Sequence, residues 1–374
     1  MQPKIKLHYV TYQTFPSKKA NTLQTIGNLK YLSKNNVDST LIFPLRKHES
    51  SSNESTLKKV YNYDVDIKIK GTSHKFPFGR TSKFERLFFL MSHFLWSRQI
   101  TRSIMKKSEE GIIFFTRSEW VFYYLSKYDL KVTYECHQLS KLKKIIIPIS
   151  IKKPASKIIF LNEELKIDAK IKKVYDSKIQ ILHNGVDEEL FKTKVQKDRK
   201  RVIFSGNLSR FNTERNLDFI IQSFADPKLS DFNLSIVGAN ESEFTSLNKN
   251  IEQLGLSERI SVEKWVDREQ SIKRIQKSSI GILINSENNL HSTKYTSPLK
   301  YFEYVYAGLS VVAVDFKAHR VLPNSESISF FKNNDKSNFI NAILNASNSS
   351  FSSVGLNEFT LDYRAKQIID FIKY

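Results

Sequence analysis

Short runs rich in β-branched and aromatic residues alternate with longer amphipathic segments along this chain. The opening run IKLHYVTY (5–12) is followed by NTLQTIGNLKYLSKNN (21–36), with helical spacing of its apolar positions, and then by DSTLIFP (38–44). Further strand candidates are GIIFFTR (111–117), KVTYECH (131–137), SKIIFLN (156–162) and SKIQILHNG (177–185). Such alternation predicts parallel βαβ units in an open α/β sheet. The stretch DEELFKTKVQKDRK (187–200) is charged, has no strand pattern and predicts a domain boundary. Beyond it the theme repeats with RVIFSGNL (201–208), DFNLSIVGAN (231–240), RISVEKWV (259–266), SIGILINS (279–286) and LSVVAVDF (309–316), each preceded by a helix-like segment. The last segment, LDYRAKQIIDFIKY (361–374), is an amphipathic helix. Two α/β domains are therefore expected, over 1–190 and 200–350, which suits a length of 374 residues.

Composition and charge narrow this picture. Hydrophobic residues at 40% and aromatics at 12% supply a core and exclude a disordered chain. The start MQPKIKLHYVTYQ lacks the apolar stretch and cleavage site of a secretory signal. The longest apolar window, LFFLMSHFLW (87–96), is interrupted by Ser92 and His93 and falls short of the roughly 20 residues of a spanning helix. With a single cysteine, Cys136, which sits in a predicted strand and reads as core, the expected compartment is the cytoplasm. The net charge of +21 is uneven, since residues 1–187 hold 34 Lys/Arg against 16 Asp/Glu. A polybasic first half can meet nucleic acid, anionic lipid or a phosphorylated substrate, or can be a solvated lysine-rich surface. No nucleic-acid motif accompanies it.

Ligands of parallel sheets bind in the loops after the strands, where helix N-termini present free N–H groups. One such loop leads into SPLKYFEYVYAG (297–308), where Ser297 is expected as N-cap and Pro298 as the first helical residue. Its N–H groups suit a diphosphate, Lys300 adds a mobile cation, and Glu303 can accept two hydroxyl hydrogen bonds of a ribose. A second loop, SGNLSRFNTERNLDFI (205–220), offers Gly206 and then Arg210 and Arg215, whose guanidinium forks favour phosphate. Asp64-Val65-Asp66 has the form of an Asp-X-Asp metal motif but precedes an alternating IKIK run and reads as a strand-edge pair; no metal ligand is assigned. His8 reads as structural, and His183 as shaping an interdomain turn.

The order of strand, Ser-Gly-Asn-Leu, IVG strand and SPLKYFEYVYAGLSVVAVDFKAHRVL resembles the donor domain of retaining GT-B glycosyltransferases, specifically family 4. YECHQ (134–138) is similar to that family's strand ending in a histidine, ILHNGVDEELF (181–191) to its interdomain segment, and LDYRAKQIIDFI to its closing helix. The resemblance covers nearly the whole chain. It implies a GT-B fold, two Rossmann-like doubly wound domains facing across a cleft, with the last helix crossing back onto the first domain. It implies that Glu303 binds the ribose and that the backbone at Ser297, Pro298 and Leu299, with Lys300, cradles the diphosphate. Arg215 stands in the place of the phosphate-binding lysine, and His137 in that of the histidine lining the acceptor side. Gly206, Asn207, Arg210, Trp265, Val266 and Tyr295 complete the donor side, and Lys19 and Asn21 join His137 on the acceptor side. Three positions depart from the pattern: Tyr295 where a first motif glutamate stands, Asn207 where an arginine is common, and Lys264 where a glycine sits in the base-binding loop.

The implied activity is transfer of a sugar from a UDP- or GDP-sugar to a glycan or lipid-linked acceptor of surface polysaccharide synthesis. Retention is implied by the resemblance alone, with leaving-group charge met by Arg215 and the helix N-terminus without a metal or other cofactor. The basic and apolar stretches 78–102 and 139–157 suggest docking on the inner face of an anionic membrane. Competing readings are a nucleotide-sugar epimerase on the same scaffold and a degenerate, ligand-binding transferase.

Overall fold

The computed structural model describes residues 4–17, 19–46, 50–74, 85–107, 110–193, 195–210, 213–349 and 355–373. The chain divides into two units, residues 1–182 with 361–374, and residues 183–360.

In the first unit, strands and helices alternate as β1 (Lys6–Val10), α1 (Ala20–Lys34), β2 (Asp38–Pro44), α2 (Glu54–Tyr61), β3 (Lys68–Thr72), α3 (Glu85–Lys107) and β4 (Ile112–Thr116). They continue as α4 (Glu119–Lys127), β5 (Val132–Cys136), α5 (Lys141–Ser150), β6 (Ser156–Phe160), α6 (Glu163–Ala169) and β7 (Ile179–Ile181). Among the described residues the strands form one parallel sheet of order β3-β2-β1-β4-β5-β6-β7. The IKIK run is β3, pairing Lys68 to Thr72 with Thr40 to Pro44. Asp64 and Asp66 precede it on an exposed loop rather than at the strand's edge.

The second unit comprises β8 (Arg201–Ser205), the short ribbon β9 (Ser209–Arg210) and β10 (Thr213–Glu214), α7 (Leu217–Ser223), β11 (Asn233–Ala239), α8 (Glu241–Gln253) and β12 (Ile260–Lys264). It continues with α9 (Arg268–Gln276), β13 (Ile280–Leu283), α10 (Leu299–Tyr306), β14 (Ser310–Val314), α11 (Lys317–Arg320), β15 (Ser329–Phe331) and α12 (Lys336–Asn348). Its main sheet is parallel, in the order β12-β11-β8-β13-β14-β15. Both sheets are covered on two faces, so their central strands are buried residue after residue, as Val202 to Ser205 and Val311 to Val314 are. The antiparallel ribbon and β15 were not expected from the hydrophobic pattern, since two- and three-residue strands carry no period.

The division falls at Leu182 and His183, ahead of the charged stretch 187–200. Asn184 and Val186 are buried in the second unit, and the Val186 N–H donates to the Phe359 carbonyl at 2.8 Å, so HNGV is already its first strand-like segment.

The last helix, α13 (Leu361–Ile372), belongs to the first unit. Leu361, Ala365, Ile368 and Ile372 join Leu7, Leu29, Leu41 and Phe115 in its core. Gly27 of α1 lets α13 approach, because a β-carbon there would stand 3.0 Å from Leu361 Cδ1. The same helix delivers Arg364, 2% exposed, to Glu135 on β5, 1% exposed, with Nη2 2.5 Å from Oε1. Arg364 Nη1 also donates to Asn28 Oδ1 of α1 at 3.2 Å. Burial would raise the Glu135 pKa, but Arg364, His137 and Arg117 hold it well below the usual carboxylate range.

Arg364→Met strands this carboxylate and should cost about 3–5 kcal/mol in urea unfolding. Adding Glu135→Gln removes the stranded charge and should recover part of the loss. A single-variant loss below about 1 kcal/mol would show that the pair does not hold α13.

Burial also holds four histidines neutral, His74, His93 and His319 at about 4 and His137 at about 3. Their folded values lie below the unfolded one of about 6.5, so the unfolded chain takes up protons first as pH falls. This stability is complete above pH about 6.5 and declines as pH drops toward 4. The melting temperature should therefore fall steadily from pH 7 to 5; a flat profile over that interval counts against buried neutral imidazoles.

Candidate active site

In the second unit the strand order reverses between β8 and β13, and ligands of such sheets sit at the carboxyl ends of the strands flanking this point. Three loops are joined there. Ser205, the last residue of β8, donates its N–H to the Tyr304 hydroxyl at 3.0 Å, and its Oγ lies 2.9 Å from Ser271 Oγ on α9. Lys300 Nζ donates to Ser271 Oγ at 3.3 Å and to Glu303 Oε2 at 2.6 Å. Arg268, at the start of α9, places Nη2 3.6 Å from Glu303 Oε1. Glu303 is buried and sits between two cations, and Lys300 is tied in place rather than mobile. Tyr304, whose pKa burial drives far above the ordinary phenol value, stays a neutral hydroxyl between the loops.

Gly206 follows with φ +143, a conformation that favours glycine. Beside it, Gly238 at φ +119 allows the β11 turn to touch the β8 turn, for a β-carbon there would stand 2.5 Å from the Gly206 oxygen. Arg215 N–H donates to the Leu208 carbonyl at 3.0 Å, and its guanidinium lies over the Phe204 ring at 5.8 Å. Arg215 Nη1 comes within 3.8 Å of the position a Gly206 β-carbon would take. Asn207 is exposed, and the Arg210 side chain lies outside the described residues.

The SPL turn is built differently from expectation. Pro298, not Ser297, precedes the first helical residue, Leu299, and no side chain caps α10. Ser297 is committed elsewhere: its Oγ accepts the Asn184 N–H at 3.2 Å, and its carbonyl accepts from Asn184 Nδ2 at 2.5 Å. The asparagine of the His-Asn-Gly-Val segment thus pins the turn, while the Leu299 and Lys300 N–H groups precede the hydrogen-bond ladder of α10, whose Tyr301 N–H donates to the Pro298 carbonyl at 3.0 Å. Tyr295 closes a π-helical turn, His291–Tyr295, with its ring buried at 2% exposure. Trp265 is 55% exposed on the β12–α9 loop, and Val266 is partly buried against the core.

The first unit reverses its strand order between β1 and β4. Lys19 and Asn21, both exposed, open α1 after β1, and Arg117 follows β4. Arg117 Nη1 donates to the Asn21 carbonyl at 3.1 Å and Nη2 to Gln24 Oε1 at 3.3 Å, while its Nε lies 3.7 Å from Glu135 Oε2. His137, just past β5, has Nε2 2.9 Å from the same carboxylate oxygen. Burial, then the Arg117 charge, lowers its pKa to about 3, so the imidazole is neutral. Arg117 and Glu135 thereby connect Asn21 with His137. His8 edges onto Phe114, and Cys136 is buried.

Reasoning from sequence missed Arg268, Ser271, Asn184, Arg117 and Glu135. A signal existed for two of them: Glu135 lies two residues before His137 and so on its side of the strand, and Arg117 directly follows a strand. Among the described residues no three His, Cys, Asp or Glu side chains cluster as a metal site, and no helix is long and apolar enough to cross a membrane.

Residues 186–354 match the family model described as Glycosyl transferases group 1. A search of curated proteins gives no match. Solved structures of similar fold include sucrose-phosphate synthase from Thermosynechococcus elongatus, with TM-score 0.68 and 11% identity over 98% of this chain and 97% of that one. HepE of Anabaena, in complex with UDP and glucose, gives 0.63 and 12% over 98% of both chains. A glycosyltransferase from Rickettsia africae gives 0.65 and 15%, also over 98% of both. These likenesses show the fold, two Rossmann-like domains of GT-B type. With the match over residues 186–354, they support a glycosyl transfer enzyme whose second unit is similar to the glycosyl transferases group 1.

Proposed function

We propose that the enzyme moves a sugar from a nucleoside-diphosphate donor, a UDP- or GDP-sugar, to a glycan or lipid-linked acceptor of surface polysaccharide synthesis, with retention and without a metal. The observation that carries the donor half is the bridge Ser205–Ser271–Lys300–Glu303–Arg268 at the switch point of the second sheet. It gathers one carboxylate and two cations beside the N-terminus of α10, which no side chain caps, with Arg215 on the neighbouring turn. A ribose diol would take Glu303 from its two cations and release Lys300 toward the phosphates. Arg215, Lys300 and the α10 N-terminus would then meet the charge that develops on the leaving diphosphate. HepE, in complex with UDP, supports a uridine donor, and exposed Trp265 offers a flat surface to the base.

The acceptor is assigned to the first unit, at Lys19, Asn21 and neutral His137. Retention is supported by the likeness of SPLKYFEYVYAG and ILHNGVDEELF to the family 4 enzymes. A workplace on the inner face of a membrane is supported by the basic bias of the first unit.

Thermal-shift titration with UDP, GDP, ADP and CMP tests the donor half. A cognate nucleotide at a hundred times its dissociation constant should stabilise the protein by about 2.7 kcal/mol. Glu303→Ala should abolish the shift; no shift with any of the four nucleotides would sink the reading in favour of a degenerate binding protein. His137→Ala should leave the nucleotide shift intact and lower transfer on the order of a hundredfold. Loss of nucleotide binding in that variant would instead mean that His137 serves the fold or the donor side.

A further inference from the structure

The outer helices of the first unit carry one face with reversed polarity. On α3, Ser92, His93, Ser97 and Thr101 are buried together with Trp96 and Ile100. Their polar atoms are satisfied inside: Ser92 Oγ lies 2.5 Å from the Tyr12 hydroxyl, His93 Nε2 2.6 Å from Ser118 Oγ, and Thr101 Oγ1 donates to the Ser97 carbonyl at 2.8 Å. The opposite stripe holds Leu87, Leu90, Met91 and Leu95, which are 55%, 42%, 44% and 42% exposed, and continues with exposed Arg98 and Arg102. A surface helix ordinarily shows the opposite distribution. α4 packs beside α3, and α5 beside α4. On α5, Ile145 and Ile149 are 60% and 49% exposed, next to exposed Lys141 and Lys144. Between them α4 sets Trp120 and Tyr124 against Phe94, ring centroids 4.8 and 6.1 Å away.

We infer that this α3–α4–α5 face docks on an anionic lipid bilayer. Leucines and isoleucines on an outward face, aromatic rings at their edge and basic residues beside them match an interfacial helix surface that lies on a membrane. Charge selects the lipid: Arg98, Arg102 and Lys106 of α3 and Lys141 and Lys144 of α5 are exposed, while Lys143 is buried against Glu119. A second copy meeting this face about a two-fold axis would oppose the same cations to one another, which disfavours a symmetric dimer here. The inference gives a surface to the membrane reading of the acceptor and rests on it for its purpose, while lipid binding itself requires no catalysis.

Cosedimentation with phosphatidylglycerol-containing vesicles, against pure phosphatidylcholine vesicles, tests it on the full chain. The protein should pellet with the anionic vesicles and be released as salt rises. Arg98→Ser with Arg102→Ser should lower partitioning by about tenfold or more, since a basic residue near such a surface is worth about fivefold. Leu90→Asn with Leu95→Asn should lower it by a similar factor with little change in melting temperature, because both residues lie at the surface, 42% exposed each, and outside the buried core. Wild-type protein that stays in the supernatant, or variants that bind as wild type, would overturn the inference. So would a concentration-dependent dimer in sedimentation velocity that Leu90→Asn with Leu95→Asn abolishes. UDP stabilisation measured on the same preparation reports the donor reading separately, so that either can fail alone.

Discussion

The buried carboxylate of Glu135 is the constraint on which the first unit turns. A charge with no exposure on a central strand must be matched from several sides, and here it is matched by elements far apart in sequence. Arg364 comes from the last helix, Arg117 from the end of β4, and His137 from two residues further along the strand. Satisfying one carboxylate therefore fixes where the chain's final helix lies, how the β4 loop turns, and which way a candidate acceptor-side histidine faces. The cations win over burial, for Glu135 is held ionised and His137 neutral. A neutral imidazole keeps one nitrogen able to accept a proton, the form that acceptor-side chemistry at neutral pH would use.

The second unit solves a related problem with hydroxyls. Gly281 on β13 has no side chain because the Tyr304 ring occupies the place of its β-carbon. That contact seats the α10 helix on the sheet and carries the Tyr304 hydroxyl to the Ser205 N–H. Ser271 then relays between Ser205 and Lys300, so a phosphate-suited turn and a ribose-suited helix are held in one register by neutral groups. Charges remain for the carboxyl edge of the sheet, where Arg268, Lys300 and Glu303 balance one another.

These arrangements explain what could be read from the amino-acid order. Parallel strands buried on both faces appear as continuous apolar runs, so VIFS, SIVGA and SVVAV were visible, and with them two α/β units and the loops where ligands bind. Residues whose work is local were also visible, such as Gly206 or the SPL turn. Ser297 was misread because its rival partner, Asn184, is over a hundred residues away, and a serine before Pro-Leu looks the same whether it caps its own helix or receives another loop. Arg268 and Ser271 resemble an ordinary first turn of a solvent-facing helix until the fold places Glu303 opposite them. Tyr295 sat at a motif position, yet ring burial in a π-helical turn leaves no periodic trace.

The reversed helix α3 follows from the same accounting of polar groups. Rotating it to bury Leu90 and Leu95 would expose or strand Ser92, His93 and Ser97, whose partners are the fixed Tyr12 hydroxyl and the Ser118 cap of α4. Each buried polar atom left unbonded costs about 1–3 kcal/mol, comparable with what one leucine regains by leaving water, so several such atoms outweigh two leucines. The interior of the unit therefore holds α3 with its apolar stripe outward. Such a stripe is costly to keep in water, and the neighbouring arginines and lysines would favour an anionic cover over a neutral one. This stripe belongs to the same unit as Arg117 and His137, with α3 preceding β4 and Arg117 along the chain.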